Sequence, residues 1–519
     1  LSGLRVISRT SAGHYRNTAK PLKEIGRELG AAYVLEGSVR WERGVDGPGR
    51  IRVTPQLIRV ADDVHLWAEG YDAELGAVFQ LQTTIAERVA GALAVTLGPS
   101  QRAALDEGGT SDPDAYDFYL RGSDYLGRGN ARATLAAARE LYEKAVARDP
   151  QFALAWARLS SVYTQTYWYD HDRSAARLAL ARRAADSAFA LAPNLAEVQI
   201  ALGYYYYRAH RDYARALEHF EAARRRQPAN GDLLAGIAAV DRRQGRWDRA
   251  VRGYSEALRY DPLSNVLTSD LAYTLAFMHR FSEAERAYDR AITLAPDWAS
   301  PYVDKASLYL AWRGDLGRAR SVLAEAMSRI GFEQLAPWLI SNDQITSTIL
   351  TSDSASAPLV DALTLQGFPG DTMEYYFIKA ESARFRGLAA AERAYADSLR
   401  TALEHKLRAR PDDPDNLSWL GIAYAALGRK ADAERAARRA VELLPVTKDA
   451  LVGPYLIVAR ARVYMMLGEP ERAIATLEPM LAIPSPVTRE ALRADPLWTP
   501  LRERPRFRTL VAEVSGPRQ

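Results

Sequence analysis

The chain has 519 residues, of which 48% are hydrophobic and 25% charged, with a formal net charge of +4. That length predicts about three or four compact units or one repetitive array, and the composition is that of a folded protein rather than a disordered one. No run of about 18 apolar residues is present to span a membrane, and the start, Leu1-Ser2-Gly3-Leu4-Arg5, lacks a signal-peptide pattern. The absence of cysteine excludes disulfides, thiolate metal sites and cysteine nucleophiles. Eight of the 68 basic residues are Lys and the rest Arg, set against 64 acidic residues. The tight cluster Arg224-Arg225-Arg226 falls where a helix is predicted to end, and there positive charge complements the helix dipole. Nucleic acid is therefore not an expected partner.

Residues 1–98 read as a small α/β domain. Leu4-Arg5-Val6-Ile7-Ser8 predicts a strand. Pro21 to Leu29 predicts a helix with Pro at its start and Gly30 at its end. Ala32 to Trp41 predicts a strand, Gly44 to Gly49 a turn, and the alternating segment Ile51 to Ile58 the hairpin partner. A turn at Ala61-Asp62-Asp63 leads into Val64-His65-Leu66-Trp67-Ala68-Glu69, and an amphipathic helix is predicted over about Ala77 to Leu97. The β-α-β-β-β-α order, with Leu4 to Ser11, Leu35-Glu36-Gly37-Ser38-Val39-Arg40 and His65 to Glu69, resembles a TolB-like (FlgO-like) domain. That resemblance implies a bacterial protein in which such a domain precedes helical repeats, as in some serine/threonine kinases and winged-helix regulators. In that family the domain begins one strand and one helix earlier. The departure implies either a fragment or a shorter member whose sheet exposes an unpaired edge.

After a linker at 99–113, a repeat takes over. Prolines 150, 193, 228, 262 and 296 form a ladder whose later steps are 34 or 35 residues, and Pro411 and Pro445 add one more step. Ala216-Phe220-Ala223-Pro228 recurs as Ala250-Tyr254-Ala257-Pro262 and Ala284-Tyr288-Ala291-Pro296, and Ala138-Tyr142-Ala145-Pro150 keeps the same offsets. Upstream lie Trp156-Leu159-Ser160-Tyr163, Gln199-Leu202-Gly203-Tyr206, Leu234-Ile237-Ala238-Asp241 and Leu417-Leu420-Gly421-Tyr424. Offsets of three, four and seven put each set on one helical face, and the small residue admits a closely packed partner helix. Proline ends the second helix because it has no N–H to donate.

This pattern resembles the tetratricopeptide repeat family. The resemblance implies a mainly α fold, a right-handed solenoid of about eight or nine helical hairpins following the small α/β domain. One block is expected over 114–330 and a second over 372–485, with an irregular insertion or hinge at 331–371 and a C-terminal cap at 486–519. A cap is needed because the last repeat has no neighbour to cover it.

Motifs for catalysis are missing: there is no P-loop, Gly-x-Ser-x-Gly or His-Glu-x-x-His. The seven histidines are scattered, and Asp170-His171-Asp172 reads as a solvated loop rather than a metal site. The expectation is a non-enzyme without metal or cofactor. The repeat resemblance implies binding of a protein or peptide segment in a concave groove, with Tyr204, Tyr207, Arg208, Arg242, Arg243, Tyr273 and Phe277 facing it. Aromatic and Arg side chains are what interface hot spots favour. The Lys and Asn set with which relatives clamp a C-terminal carboxylate is replaced by Ile200 and Tyr204, or by Ala235 and Ala239. A structural subunit assembling through the open sheet edge and the solenoid ends into an oligomer or filament is the alternative, and a sensory or docking region of a kinase or transcription regulator is the third reading. A periplasmic or extracellular location follows from the family context alone.

Overall fold

The computed structural model describes residues 4–42, 50–74, 78–95, 107–339, 345–368 and 372–512. The turn expected at 44–49, the start of the linker and Ser341-Asn342-Asp343 lie outside these. The chain divides into two compact units: residues 1–240 with 255–264, and residues 241–254 with 265–519. The fold is mostly helical, with helical hairpins of the tetratricopeptide type and a small N-terminal antiparallel sheet.

In the first unit, Leu4–Ser8 forms no strand. Ser8 instead caps a short helix, α1 (Arg9–Gly13), by accepting the Ser11 N–H at 3.0 Å. The Ser8 and Ser11 hydroxyls both donate to Asp261, the Ser8 N–H donates to the Tyr260 carbonyl at 2.7 Å, and the Leu263 N–H donates to Ser11 at 2.9 Å. Tertiary hydrogen bonds to residues 260–263 thus override the apolar alternation that predicts a strand, and both hydroxyl-bearing side chains are spent on them. Helix α2 (Leu22–Leu29) ends as expected, with Gly30 at φ 63° and the Ala31 N–H returning to the Gly26 carbonyl.

Strands β1 (Tyr33–Glu42), β2 (Arg50–Arg59), β3 (Val64–Ala68) and β4 (Tyr71–Glu74) form one antiparallel sheet. Strand β2 is central: β1 lies on one side in the register Leu35↔Leu57, while β3 and β4 share the other side. The sequence reading missed β4, because Tyr71-Asp72-Ala73-Glu74 has too short an alternation to stand out. Gly37 is required where it stands: a Cβ would come within 2.8 Å of the Thr54 carbonyl oxygen across the ladder. Helix α3 (Val78–Ala92) lies against β3 and β4.

Three helical hairpins follow: α4 (Pro113–Gly127) with α5 (Arg132–Arg148), α6 (Ala153–Trp168) with α7 (Ala175–Leu191), and α8 (Ala196–His210) with α9 (Tyr213–Arg226). Asp112, Ser174 and Asp212 cap their helices through side-chain oxygens. The repeated small residues do what their spacing implies. Ala138, Ala145, Ala181, Ala188, Ala216 and Ala223 are fully buried, and Gly203 faces Phe220 so closely that a Cβ would sit 2.5 Å from the ring. The extra residues after Tyr163 lengthen α6 and then turn at Asp170 (φ 58°), where the His171 and Asp172 N–H groups both return to the Thr166 carbonyl. His171 binds the Asn130 carbonyl and Asp172 pairs with Arg177, so the trio is structural. Helices α10 (Gly231–Arg243) and α11 (Trp247–Tyr260) contribute residues to both units.

In the second unit, α12 (Asn265–Phe277) pairs with α13 (Phe281–Leu294), and α14 (Ser300–Arg313) with α15 (Leu316–Ile330). The segment 331–371 contains short helices, α16 (Phe332–Leu335), α17 (Ile345–Thr351) and α18 (Ala357–Ala362), rather than open loop. Thr346, Ser347 and Thr348 are buried there; Thr348 donates to Glu381 and Thr346 to the Leu339 carbonyl. Composition alone reads such hydroxyl-rich stretches as loop. Three more hairpins follow: α19 (Thr372–Phe385) with α20 (Ala389–Ala409), α21 (Pro414–Ala426) with α22 (Lys430–Leu443), and α23 (Gly453–Met466) with α24 (Pro470–Leu477). Beyond them lie α25 (Arg489–Ala494), a 3₁₀ turn over Pro496–Leu501 and α26 (Pro505–Val511). Leu497, Trp498, Leu501 and Phe507 are buried there in one cluster with Ala473, Ile474 and Leu477 of α24.

Candidate binding groove

The first helix of each hairpin carries the side chains that the repeat resemblance implies for the groove. In the first unit these lie on α8 as Glu197, Ile200, Tyr204, Tyr207 and Arg208. Tyr204, Ile200, Glu197 and Arg208 are half-buried. The Tyr204 hydroxyl donates to the Asp232 carbonyl at 2.9 Å, and its ring meets Phe220 edge-on at 5.1 Å. The Arg208 guanidinium lies over the Tyr204 ring at 4.3 Å, a cation–π arrangement that orients both groups. At the other end of this row, Glu197 accepts from Gln227 through Oε1, whereas its Oε2 is buried without a hydrogen-bond partner among the described residues. The Nε of Arg208 is in the same state.

Tyr207 departs from its predicted place. It is buried, 5.4 Å from the Trp168 ring and 6.1 Å from Tyr213, and so belongs to the hairpin interior. Tyr206 packs as expected, half-buried against the clusters of the neighbouring helices, and stacks on His219 at 5.3 Å with the rings 3° from parallel. Along the run Tyr204 and Tyr206 are thus half-buried, and Tyr205 and Tyr207 buried. Aromatic residues at four successive positions give periodicity nothing with which to fix that phase.

In the second unit the other four predicted residues are in contact with the chain itself. Arg242 is buried, pairs with Asp270 at 2.8 Å and lies 5.7 Å from the Tyr273 ring. Arg243 donates to Asp449 at 3.0 Å, and the Asp449 side chain is fully buried. Asp449 also accepts the Leu451 and Val452 N–H groups at 3.0 and 2.9 Å, while the Ala450 N–H donates to the Arg243 carbonyl at 2.7 Å. Phe277 stacks on Trp247 at 5.4 Å and is met by Tyr455 at 5.7 Å, and the Tyr273 and Tyr455 hydroxyls are 2.6 Å apart. Leu451 completes this cluster. The structure thus brings Tyr204 and Arg208 together on one face, and Arg242, Tyr273 and Phe277 on another. The second face is covered by residues 449–455. No spacing within a 34-residue repeat predicts a contact between residues about 200 apart.

Further along the second unit, Glu381 and Arg462 form a buried pair at 2.9 Å beside a small, half-open recess lined also by Phe377, Arg384 and Leu399. Burial and the neighbouring Arg462 lower the pKa of Arg384 from the usual guanidinium value. Among the described residues no group of three His, Cys, Asp or Glu side chains is placed to hold a metal, and no helix is long and apolar enough to cross a membrane.

Comparison with known proteins agrees with the repeat architecture. A tetratricopeptide repeat family model matches residues 207–266. A putative adenylate cyclase 3 of Rhizobium meliloti is 36% identical over 162 residues, which is 31% of this chain and 27% of that protein. A Hsp70-Hsp90 organising protein of Plasmodium falciparum is 36% identical over 62 residues, covering 12% of this chain and 25% of its own length. The chain thus spans about a quarter of each of these relatives. Among solved structures, a thermophilic tetratricopeptide protein of Thermus thermophilus is 21% identical with a TM-score of 0.32, over 38% of this chain and 99% of its own. The chain contains tetratricopeptide repeats, a fold used mainly for protein–protein interaction.

Proposed function

We propose that the chain is a non-catalytic interaction scaffold that holds an extended peptide segment of a partner protein along α8. The observation that carries this reading is a row of half-buried side chains along one face of α8, with the Glu197 carboxylate at one end, Ile200 and Tyr204 in the middle and the Arg208 guanidinium at the other end. From Glu197 to Arg208 the helix rises about 16 Å, the span of roughly five extended residues. The segment that fits has a hydrogen-bond donor or cation at the Glu197 end, an apolar centre, and an acceptor or carboxylate at the Arg208 end.

Selection of peptides from a random library on the whole chain tests this. Binders are expected to share that order of groups, and Tyr204→Ala with Arg208→Ala is expected to weaken them by about 30-fold or more, as loss of hot-spot residues does. Val266→Ala, at an exposed residue of α12, should leave affinity unchanged. Equal affinity of the double variant and the parent would refute the assignment.

The similarity to a putative adenylate cyclase favours a second, compatible reading, in which these repeats are the sensory or docking part of a larger bacterial signalling protein. Co-expression with the enzymatic part it accompanies, followed by measurement of activity with and without a groove peptide, separates the two: a peptide-dependent change supports the docking role, and no change opposes it.

A further inference from the structure

Strand β1 is an edge strand: β2 pairs with it on one side, and among the described residues nothing pairs with it on the other. Ten residues is long for an unprotected edge, and natural sheets usually blunt such edges. Here Tyr33, Leu35 and Val39, on one face, are 42%, 50% and 50% exposed. The opposite face carries Glu36, Ser38 and Arg40, all exposed.

Two contacts fix which backbone groups point outward. The Val60 N–H donates to the Ala32 carbonyl at 3.0 Å, so the even-numbered residues of β1 direct their hydrogen-bonding groups at β2. Consistently, odd-numbered Gly37 lies opposite Pro55, which has no N–H to give, and the Pro55 carbonyl turns away to Glu69. Residues 33, 35, 37 and 39 therefore present their N–H and C=O groups to the open edge.

We propose that this edge pairs with the same edge of a second copy of the chain, antiparallel, about a two-fold axis through Ser38. In that register residues whose numbers sum to 76 face each other. Glu36 then lies opposite Arg40 of the partner subunit, twice by symmetry. Because these residues are even-numbered, they occupy non-hydrogen-bonded positions, where facing Cα atoms approach to about 4.5 Å and side chains are closest. Leu35 falls diagonally beside Val39 of the partner subunit on the other face. An axis at residue 36 or 40 would instead set like charges against each other. The pairing also answers a charge conflict inside the subunit. Arg40 is registered opposite Arg52, and Arg52 already forms a bidentate pair with Asp72. A two-fold pairing closes on itself and yields a dimer rather than a filament. It does not depend on the groove reading.

The test is the oligomeric state of the full chain by light scattering across a dilution series, with charge-swapped variants. The parent is expected to pass from monomer to dimer as concentration rises. Glu36→Arg or Arg40→Glu alone should shift the midpoint to concentrations at least about tenfold higher, and the two together should restore it. Because the chain has no cysteine, Ser38→Cys supplies a second measurement. Facing residues on the axis lie within disulfide reach, so mild oxidation should yield a covalent dimer, whereas Glu36→Cys should not. All three positions are exposed, and circular dichroism verifies that each variant is folded. A parent that stays monomeric throughout, a double swap that fails to rescue, or equal cross-linking of Ser38→Cys and Glu36→Cys would overturn the proposal.

Discussion

Replacing Asp449 by Ala probes the contact that covers the inner face of α12. Its carboxylate is fully buried, 3.0 Å from the Arg243 guanidinium, and accepts two backbone N–H groups at the entry to α23. Removing it leaves a buried guanidinium without its counter-charge, which costs about 3–5 kcal/mol. Each orphaned N–H adds about 1 kcal/mol where water does not reach it. The local loss is therefore about 5–7 kcal/mol. Asp449→Asn keeps an acceptor for the N–H groups and should lose about half as much. Arg243→Met combined with Asp449→Asn removes both charges together and should recover most of the loss, because a buried pair is worth little more than an apolar replacement of similar size. The assay is amide hydrogen exchange over residues 445–456, which reads local opening in a chain of two units where a global midpoint would mix transitions. Protection falling by less than about tenfold in Asp449→Ala, or no recovery in the double variant, would refute the claim that this pair holds the segment down.

Glu381→Gln leaves Arg462 charged and buried, and should destabilise the second unit by about 3–5 kcal/mol, read as a lower denaturant midpoint for tryptophan fluorescence, Trp419 packing 4.4 Å from Phe377 in this region. Gly203→Ala forces a methyl against Phe220 and should cost about 1–3 kcal/mol of first-unit stability, whereas Gly13→Ala, where a Cβ meets nothing within 4 Å, should change it little. Burial lowers the pKa values of His210 and His219 from 6.5. A histidine held neutral by folding contributes stability that is fully present above pH 6.5 and is lost as pH falls towards the depressed value. The first unit should thus become less resistant to urea as pH drops below 6.5, and substituting both histidines should flatten that dependence.

The repeat was legible because each 34-residue period prints the same small and large residues, and their burial follows directly: Ala216, Ala250 and Ala284 are all fully buried. The N-terminal hairpin was legible from alternation and from Gly30. What escaped was set by contacts distant in sequence. Leu4–Ser8 reads as a strand until Asp261 is known to hold Ser8 and Ser11. Phe277 and Arg243 read as open groove until residues 449–455 are known to cover them. The phase of Tyr204 to Tyr207 was undetermined locally, and packing of Tyr207 on Trp168 settles it. In the site, Tyr204 and Arg208 were named from what the repeat resemblance implies for their positions. Glu197 shares the half-buried face of α8 with them, which only the structure shows.

The central claim is that α8 presents the open binding face. Hydrogen exchange of the whole chain with and without a selected peptide measures it most directly. Protection is expected to rise over 196–210 and around Asp232, whose carbonyl holds Tyr204, and to leave 265–277 unchanged. Protection that appears over 265–277 while 196–210 stays as it was would contradict the account.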